Sequence, residues 1–217
     1  MLIDTGPVEL REQFGTPEQQ RESATSGMWV FLMTEVMMFG ALFTSFAIYR
    51  LYYFQPFTQG SSEMNVVLGS INTAVLICSS LTMALAVHSA ASGERSKTFW
   101  LLIATIVIGI VFLAIKFTEY GQHYAEHKVP GIWFDSHDPG ANKIEMFYFF
   151  YFVMTGLHAI HMMVGIGVVS VLALRTLVGR ISAFYHTPIE IGGLYWHFVD
   201  IVWVFLYAIF YIPGIHK

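Results

Sequence analysis

The hydrophobic positions of this chain fall into five long runs separated by shorter polar stretches. At about 1.5 Å of rise per residue, each run is long enough to cross a hydrocarbon layer about 30 Å thick as an α-helix. The runs lack the alternation of polar and apolar residues that a membrane β-barrel requires. The pattern therefore predicts an all-α integral membrane protein, a five-transmembrane-helix bundle. The predicted spans are residues 27–49, 66–87, 98–117, 146–174 and 191–212.

Composition supports a membrane location for this fold. Of the 217 residues, 55% are hydrophobic and only 12% are charged, about half the charged share of a soluble domain. A soluble chain of this length could not bury so much apolar surface. The net charge of -4, without a basic cluster, argues against nucleic-acid binding. Cys78 is the only cysteine, which excludes an intramolecular disulfide and a cysteine-based metal cluster.

The N-terminal region differs from the rest of the chain. Its first 26 residues are polar and of mixed charge, unlike a cleavable signal peptide. Thr16 followed by Pro17 is typical of a helix start. We therefore expect residues 1–26 to form a cytoplasmic segment with a short surface helix, and residues 27–217 to form one transmembrane domain.

The cytoplasmic assignment of the N-terminus depends on loop charges. The lysines and arginines divide almost equally, six on the N-terminal side and five on the other, where Lys116 is counted. The two shortest loops, residues 89–97 and 175–189, lie on the N-terminal side and are basic. Because basic short loops stay in the cytoplasm, we expect the N-terminus there.

Five ionisable residues lie within the apolar runs and form a predicted intramembrane polar belt. They are Glu35, His158, His161, His197 and Asp200. Glu35 and Asp200 lie at similar depth in spans that enter from the same side. His197 and Asp200 share a helix face, as do His158 and His161, because each pair is three residues apart. An ionisable group in hydrocarbon is costly unless it has a partner, so each of these residues requires an explanation.

Three interpretations of the belt are compatible with the sequence. Haem or metal ligation could use His158 and His161, but the chain lacks the ladder of paired histidines that a membrane dihaem protein needs. A proton or ion pathway could pass between carboxylates and histidines. The sequence favours buried hydrogen bonds that fix helix packing, for example between Asp200 and either His197 or His158.

The sequence gives two further predictions, one for Glu35 and one for the loop at residues 121–143. The helix neighbours of Glu35 one turn away are apolar, so we expect desolvation to favour its neutral form. The loop at residues 121–143 contains three histidines and three carboxylates: His123, His127, His137, Glu126, Asp135 and Asp138. His123 and His127 have a spacing that can bind zinc, but the sequence does not fix a third ligand. A polar interfacial loop anchored by Tyr124 and Trp133 is the favoured interpretation.

Several motifs together resemble subunit III of the haem-copper terminal oxidases. They are residues 27–39 (GMWVFLMTEVMMF), Asn72-Thr73 with the run ending at His88, Glu119-Tyr120, residues 156–161 (GLHAIH), and Glu190 with residues 195–203 (YWHFVDIVW). The resemblance covers nearly everything from residue 27 to residue 212. With five spans, the chain resembles the short bacterial form, which lacks the two leading helices of the seven-helix version.

The resemblance implies an accessory, cofactor-free subunit of a bacterial respiratory oxidase, with haem and copper in partner subunits. It implies binding to the catalytic subunit I, to subunit II and to structural phospholipids, with membership of a respiratory supercomplex as a further option. It also implies a multi-pass location in the inner membrane. It also implies support for proton uptake in a proton-pumping cytochrome c oxidase of aerobic electron transport. Candidate lipid-binding residues are Trp29, Arg50 and His88, since headgroup phosphates attract Arg and His while aromatic residues line acyl chains.

Alternatives to this assignment lie inside and outside the family. Within it, the chain could accompany a quinol oxidase or a nitric oxide reductase. Outside it, the rivals are a haem-binding membrane redox protein and a proton-coupled transporter. The absence of a sequence repeat counts against the transporter.

Overall fold

The computed structural model describes residues 13–131, 134 and 141–214 of the chain, and over these ranges it contains six α-helices and no strand. Five of the helices are long and apolar enough to cross a membrane, which confirms the predicted bundle. The helices are α1 (Pro17–Tyr52), α2 (Phe54–Ser62), α3 (Val66–Ala91), α4 (Arg95–Ala125), α5 (Ala141–Leu177) and α6 (Thr187–Phe210), followed by a short 3-10 turn at Ile212–Gly214.

Helix α1 begins where the sequence indicated. The Thr16 side chain accepts a hydrogen bond of 3.2 Å from the backbone N–H of Gln19, and Pro17 is the first helical residue. The helix then continues without a break into the first span, so the expected surface helix is not a separate element. A helix satisfies its backbone hydrogen bonds internally, both in lipid and in water. A transmembrane helix can therefore continue into the polar residues outside the hydrocarbon.

Helix α2 is an element that the hydropathy pattern did not predict. Its nine residues are too few to span a membrane, and they connect α1 to α3 on the side opposite the N-terminus. Phe57 is buried among aromatic rings of α1 and α5, and the Ser61 hydroxyl donates a 2.6 Å hydrogen bond to the carbonyl of Phe210. Gly60 is required here, since a Cβ atom would lie 2.4 Å from the Phe147 ring. Helix α2 therefore closes one end of the bundle.

Helix α6 is the central helix and packs against α1, α3 and α5. Two tryptophans connect it to α3: Trp196 donates to the Ser79 hydroxyl at 3.0 Å, and Trp203 donates to the Thr73 hydroxyl at 3.1 Å. The helix ends at Phe210, two residues before the predicted end of the fifth span, and Pro213 follows in the 3-10 turn. Proline lacks the N–H that would continue the helix.

The N-terminal end of the bundle is fixed by polar contacts. On the N-terminal side, the Arg95 guanidinium donates to the carbonyls of Thr176 and Leu177 at the end of α5. Arg21 of α1 lies 3.9 Å from Glu190 of α6. These contacts satisfy helix-end carbonyls and place the start of α1 beside the start of α6.

Candidate functional site

Glu35 and His161 form the first part of the predicted belt. Glu35 Oε2 of α1 lies 3.0 Å from His161 Nε2 of α5, and both side chains are largely buried. The fold therefore supplies this carboxyl with a hydrogen-bonding partner from a helix far along the chain, which its apolar helix neighbours did not indicate. Phe39 packs edge-on against the His161 ring at 5.3 Å and closes the pair on one side.

The hydrogen bonds of His161 determine how many protons this pair holds. Its Nδ1 lies 2.8 Å from the Leu157 carbonyl, which only accepts, so Nδ1 carries a proton. The contact between Nε2 and Glu35 then needs one more proton. That proton is held either by the carboxyl as O–H donor or by an imidazolium, and in both cases the pair is neutral overall. A neutral pair is the form that the membrane interior tolerates.

His197 and Asp200 form a second part of the belt, on α6. His197 Nδ1 lies 2.8 Å from the Ser80 hydroxyl of α3, and the same hydroxyl lies beside the Asp200 carboxyl. Asp200 is 7% exposed, and neither of its carboxylate oxygens completes a hydrogen bond of ordinary geometry with the described residues. The predicted bond between Asp200 and His197 or His158 is absent there as well. The Ser80 hydroxyl instead lies between His197 and Asp200 and contacts both side chains.

His158 is the third part and lies in the interior of the bundle. Its ring centroid is 5.6 Å from that of Phe112 and 5.2 Å from that of Trp203. Both ring nitrogens lack a partner among the described residues. His158 and His161 therefore lie in two different environments, although they share a helix face. His158 lies inside the bundle, and His161 faces α1. The predicted belt is three separate sites and not one continuous network.

A buried ion pair that the sequence reading did not identify lies nearer the other end of the bundle. Lys116 Nζ donates to Glu119 Oε2 at 2.8 Å, and the two side chains are only 2% and 3% exposed. Tyr151 and Tyr211 accept hydrogen bonds of 3.0 Å from the same ammonium group. The Tyr211 hydroxyl in turn donates to Glu119 Oε1 at 2.6 Å. Helix α4, helix α5 and the end of α6 are thereby joined through one ammonium group.

Aromatic rings complete the surroundings of Lys116. Its Nζ lies 5.0 Å from the ring centroids of Tyr151 and Trp203 and 5.2 Å from that of Tyr120. Such contacts are favourable for a desolvated cation. The spacing of Lys116 and Glu119, three residues apart at the end of an apolar run, was the signal that could have predicted the pair. Because Lys116 is buried, counting it among the loop charges was wrong.

A second charged cluster lies outside the membrane spans, beyond the end of α4. Lys128 Nζ lies 2.6 Å from Glu126 and 3.1 Å from Glu63, and the Tyr148 hydroxyl donates to Glu63 at 2.8 Å. The hydrogen bond from Lys128 lowers the pKa of Glu126. Partial burial alone would lower the pKa of Lys128, but its bonds to Glu126 and Glu63 outweigh burial and raise it. Both groups therefore keep their charges across the neutral range.

The histidines of the proposed zinc site separate in the structure. His123 is buried in α4 against Tyr148 and Tyr151, whereas His127 follows the end of the helix with a positive φ of 53°. The i, i+4 geometry of a single helix is therefore not maintained. Across the described residues, no three His, Cys, Asp or Glu side chains converge as metal ligands. His137, Asp135 and Asp138, and the proposed anchor Trp133, lie outside those residues.

The three candidate lipid-binding residues do not share one site. Trp29 and His88 are exposed towards the N-terminal side of the bundle, and Arg50 lies in the last turn of α1 at the opposite end. A cleft of about 570 Å³ lies between the N-terminal part of α1 and helices α5 and α6. It contains none of the three. Its lining includes Arg21, Met28, Phe31, Val168 and Tyr195.

The bundle of five long apolar helices, with polar groups that mostly meet between helices, defines a polytopic helical membrane protein. Comparison with known families makes the class specific. The sequence model described as Cytochrome c oxidase subunit III matches residues 16–215. The chain belongs to the cytochrome c oxidase subunit III family.

Relatives with curated names fall into two groups. The cytochrome c oxidase subunit 3 of Papio hamadryas is 30% identical over 204 residues, which cover 90% of this chain and 71% of that protein. The probable quinol oxidase subunit 3 of Staphylococcus haemolyticus is 26% identical, with 99% of this chain and 98% of that protein covered. The corresponding protein of Staphylococcus epidermidis is 31% identical, with coverage of 87% and 88%. This chain is thus similar to subunit 3 of both kinds of oxidase.

Proposed function

We propose that this chain is the accessory, cofactor-free subunit III of a bacterial haem-copper oxidase that pumps protons in aerobic electron transport. The observation that carries the proposal is the family match, which extends over residues 16–215. The site supports the same conclusion. His161 is engaged by Glu35, His197 by Ser80, and His158 packs between aromatic rings, so the histidines serve contacts between helices.

The proposed role is to bind subunits I and II, to hold phospholipid, and to support proton uptake so that the catalytic site stays active during turnover. The cleft of about 570 Å³ supports lipid binding, since Phe31 and Val168 line it and Arg21 provides a cation for a phosphate. The Glu35–His161 pair holds one exchangeable proton, which is the element that could assist proton handling.

We place the chain in the inner membrane with its N-terminus in the cytoplasm. Removing buried Lys116 from the loop charges leaves six Lys and Arg residues on the N-terminal side and four on the other. This difference supports the cytoplasmic assignment of the N-terminus.

Affinity purification of the tagged chain from membranes in mild detergent tests the proposal. We expect the oxidase subunits to travel with it, identified by mass spectrometry, together with haem absorption in the visible spectrum. After dissociation, the isolated chain should lose that absorption. Haem that stays with the isolated chain, or a preparation without oxidase subunits, would overturn the proposal.

The electron donor separates two candidate complexes. We propose cytochrome c as the donor, by similarity to the cytochrome c oxidase subunits. The quinol alternative is favoured by one observation: the staphylococcal quinol oxidase subunits match this chain over nearly their whole length, whereas the Papio subunit extends beyond it. Oxygen consumption by the purified complex with reduced cytochrome c, compared with a reduced quinol, decides between the two.

A further inference from the structure

A groove on the membrane-facing side of the bundle runs between α3 and α6. It consists of two adjoining cavities of about 410 and 380 Å³ that share Ala84 and His197. The first contains Ser80 and Asp200, and the second reaches Arg21 of α1 near the N-terminal end. The groove therefore extends from the headgroup region towards the middle of the membrane.

The rim and the floor of this groove differ in chemistry. Large apolar side chains form the rim, where Ile77 and Leu81 are 60% and 61% exposed. The floor contains Ser80, His197 and the Asp200 carboxyl, whose oxygens complete no hydrogen bond of ordinary geometry with the described residues. A surface that meets only acyl chains has no need of such a floor, because polar groups that face hydrocarbon are unfavourable there.

The depth of Asp200 limits what can partner it. It is the 14th residue of the 24-residue helix α6, roughly 20 Å along the helix at 1.5 Å per residue. Headgroup phosphates and interfacial water lie near the helix ends, and acyl chains carry no hydrogen-bonding group. The partner must therefore bring a polar group to mid-membrane depth, which a transmembrane helix of another protein does.

Hydrogen-bond chemistry specifies the partner further. The Asp200 carboxyl accepts hydrogen bonds whether it is ionised or neutral, and so can the imidazole nitrogen of His197 that Ser80 leaves unused. The complementary group is an N–H or O–H donor. We propose that the groove between α3 and α6 docks a transmembrane helix of another oxidase subunit, which presents a hydrogen-bond donor to Asp200 and His197. This inference rests on the proposed function and identifies the face that contacts the partner.

Photo-cross-linking within the purified complex tests the proposal. A benzophenone amino acid replaces Leu81 at the groove or, as the control, Val107 on the exposed face of α4. We expect the probe at position 81 to join a transmembrane peptide of another oxidase subunit, and the probe at position 107 to join lipid. Only lipid adducts at position 81, or a second copy of this chain there, in a complex that still contains the other subunits, would overturn the proposal.

Two pairs of variants add a quantitative test. Ala84→Trp fills the groove, whereas Ala114→Trp places the same side chain on the exposed face of α4. We expect the first to reduce recovery of the partner subunits roughly fivefold or more and the second to leave it within about twofold. Asp200→Leu should also reduce recovery, and Asp200→Asn less, because an amide oxygen still accepts.

Equal recovery for Ala84→Trp and Ala114→Trp, with both chains folded, would contradict docking at this groove. A wild-type chain that brings down no oxidase subunit would instead overturn the proposed function, and this inference with it. The two failures are therefore distinguishable.

Discussion

Two polar regions inside the bundle differ in how completely their groups are paired. Around Lys116, the ammonium and carboxylate groups bind each other, and Tyr151 of α5 and Tyr211, just after α6, take the remaining hydrogen bonds. Around Asp200, the carboxyl completes no hydrogen bond of ordinary geometry with any residue that the structure describes, and it lines an open groove. The first region fixes helices of this chain to one another. The second is incomplete within the chain, which is why we assign it to contact with a partner.

The largest effect is expected from breaking the paired region. Lys116→Met leaves Glu119 buried without its cation, which should reduce the free energy of unfolding by about 3–5 kcal/mol. Denaturant unfolding in detergent micelles measures this change. The matched control is Lys97→Met, which removes an exposed lysine that pairs with Glu94 and should cost no more than about 1 kcal/mol.

The double variant Lys116→Met with Glu119→Met tests whether the loss of stability comes from the unpaired charge of Glu119. Because it leaves no unpaired charge, we expect it to recover much of the lost stability. A loss below about 1 kcal/mol for Lys116→Met alone would contradict the structural role of this region.

A smaller effect on the free energy of unfolding is expected at Glu35 and His161, which are joined by one hydrogen bond with one shared proton. Glu35→Leu removes the hydrogen bond and should destabilise the chain by about 1–2 kcal/mol. Glu35→Gln can still donate an amide N–H to His161, so folding should be preserved. Marked destabilisation by Gln, measured in the same unfolding assay, would count against a neutral Glu35.

The Lys128 cluster extends the comparison to a paired region outside the membrane. Since the pKa of Glu126 is lowered, its contribution to stability is present above its unfolded pKa, near 4.3, and is lost as pH falls through the lower folded value. Since the pKa of Lys128 is raised, its contribution is present below about 10.4 and is lost as pH rises through the higher folded value.

We therefore expect this cluster to contribute equally from about pH 5 to pH 9.5. Lys128→Gln should reduce stability by no more than about 1 kcal/mol in that window. The difference in unfolding free energy between wild type and variant, followed against pH, checks this. A difference that changes near pH 7 would mean that another group controls the cluster.

The smallest effect on stability is expected at Asp200. In the isolated chain, Asp200→Leu removes a carboxyl without a complete hydrogen bond, so the free energy of unfolding should change by less than about 1 kcal/mol. The same variant should impair recovery of the complex. A large loss of stability in the isolated chain would show that Asp200 is part of the packing of this chain, like Lys116, and would remove the contrast between the two regions.

The sequence predicted the spans well and the partners of their polar residues poorly, for physical reasons. Hydrophobic runs report burial in lipid directly, so five helices could be placed from them. Glu35 and His161 are 126 residues apart, and only the packing of α1 against α5 brings them together. Helix α2 was missed because its nine residues and single proline give no membrane signal. The Lys116–Glu119 pair lies within one helix and was predictable from its spacing alone.

The central claim is that this chain assists an oxidase without holding the reacting atoms. The most direct test is the time course of oxygen reduction by the purified complex, with and without this chain. We predict that the initial rate is retained when the chain is absent and that activity then decays faster during turnover. Complete loss of the initial rate, with haem content unchanged, would contradict the claim.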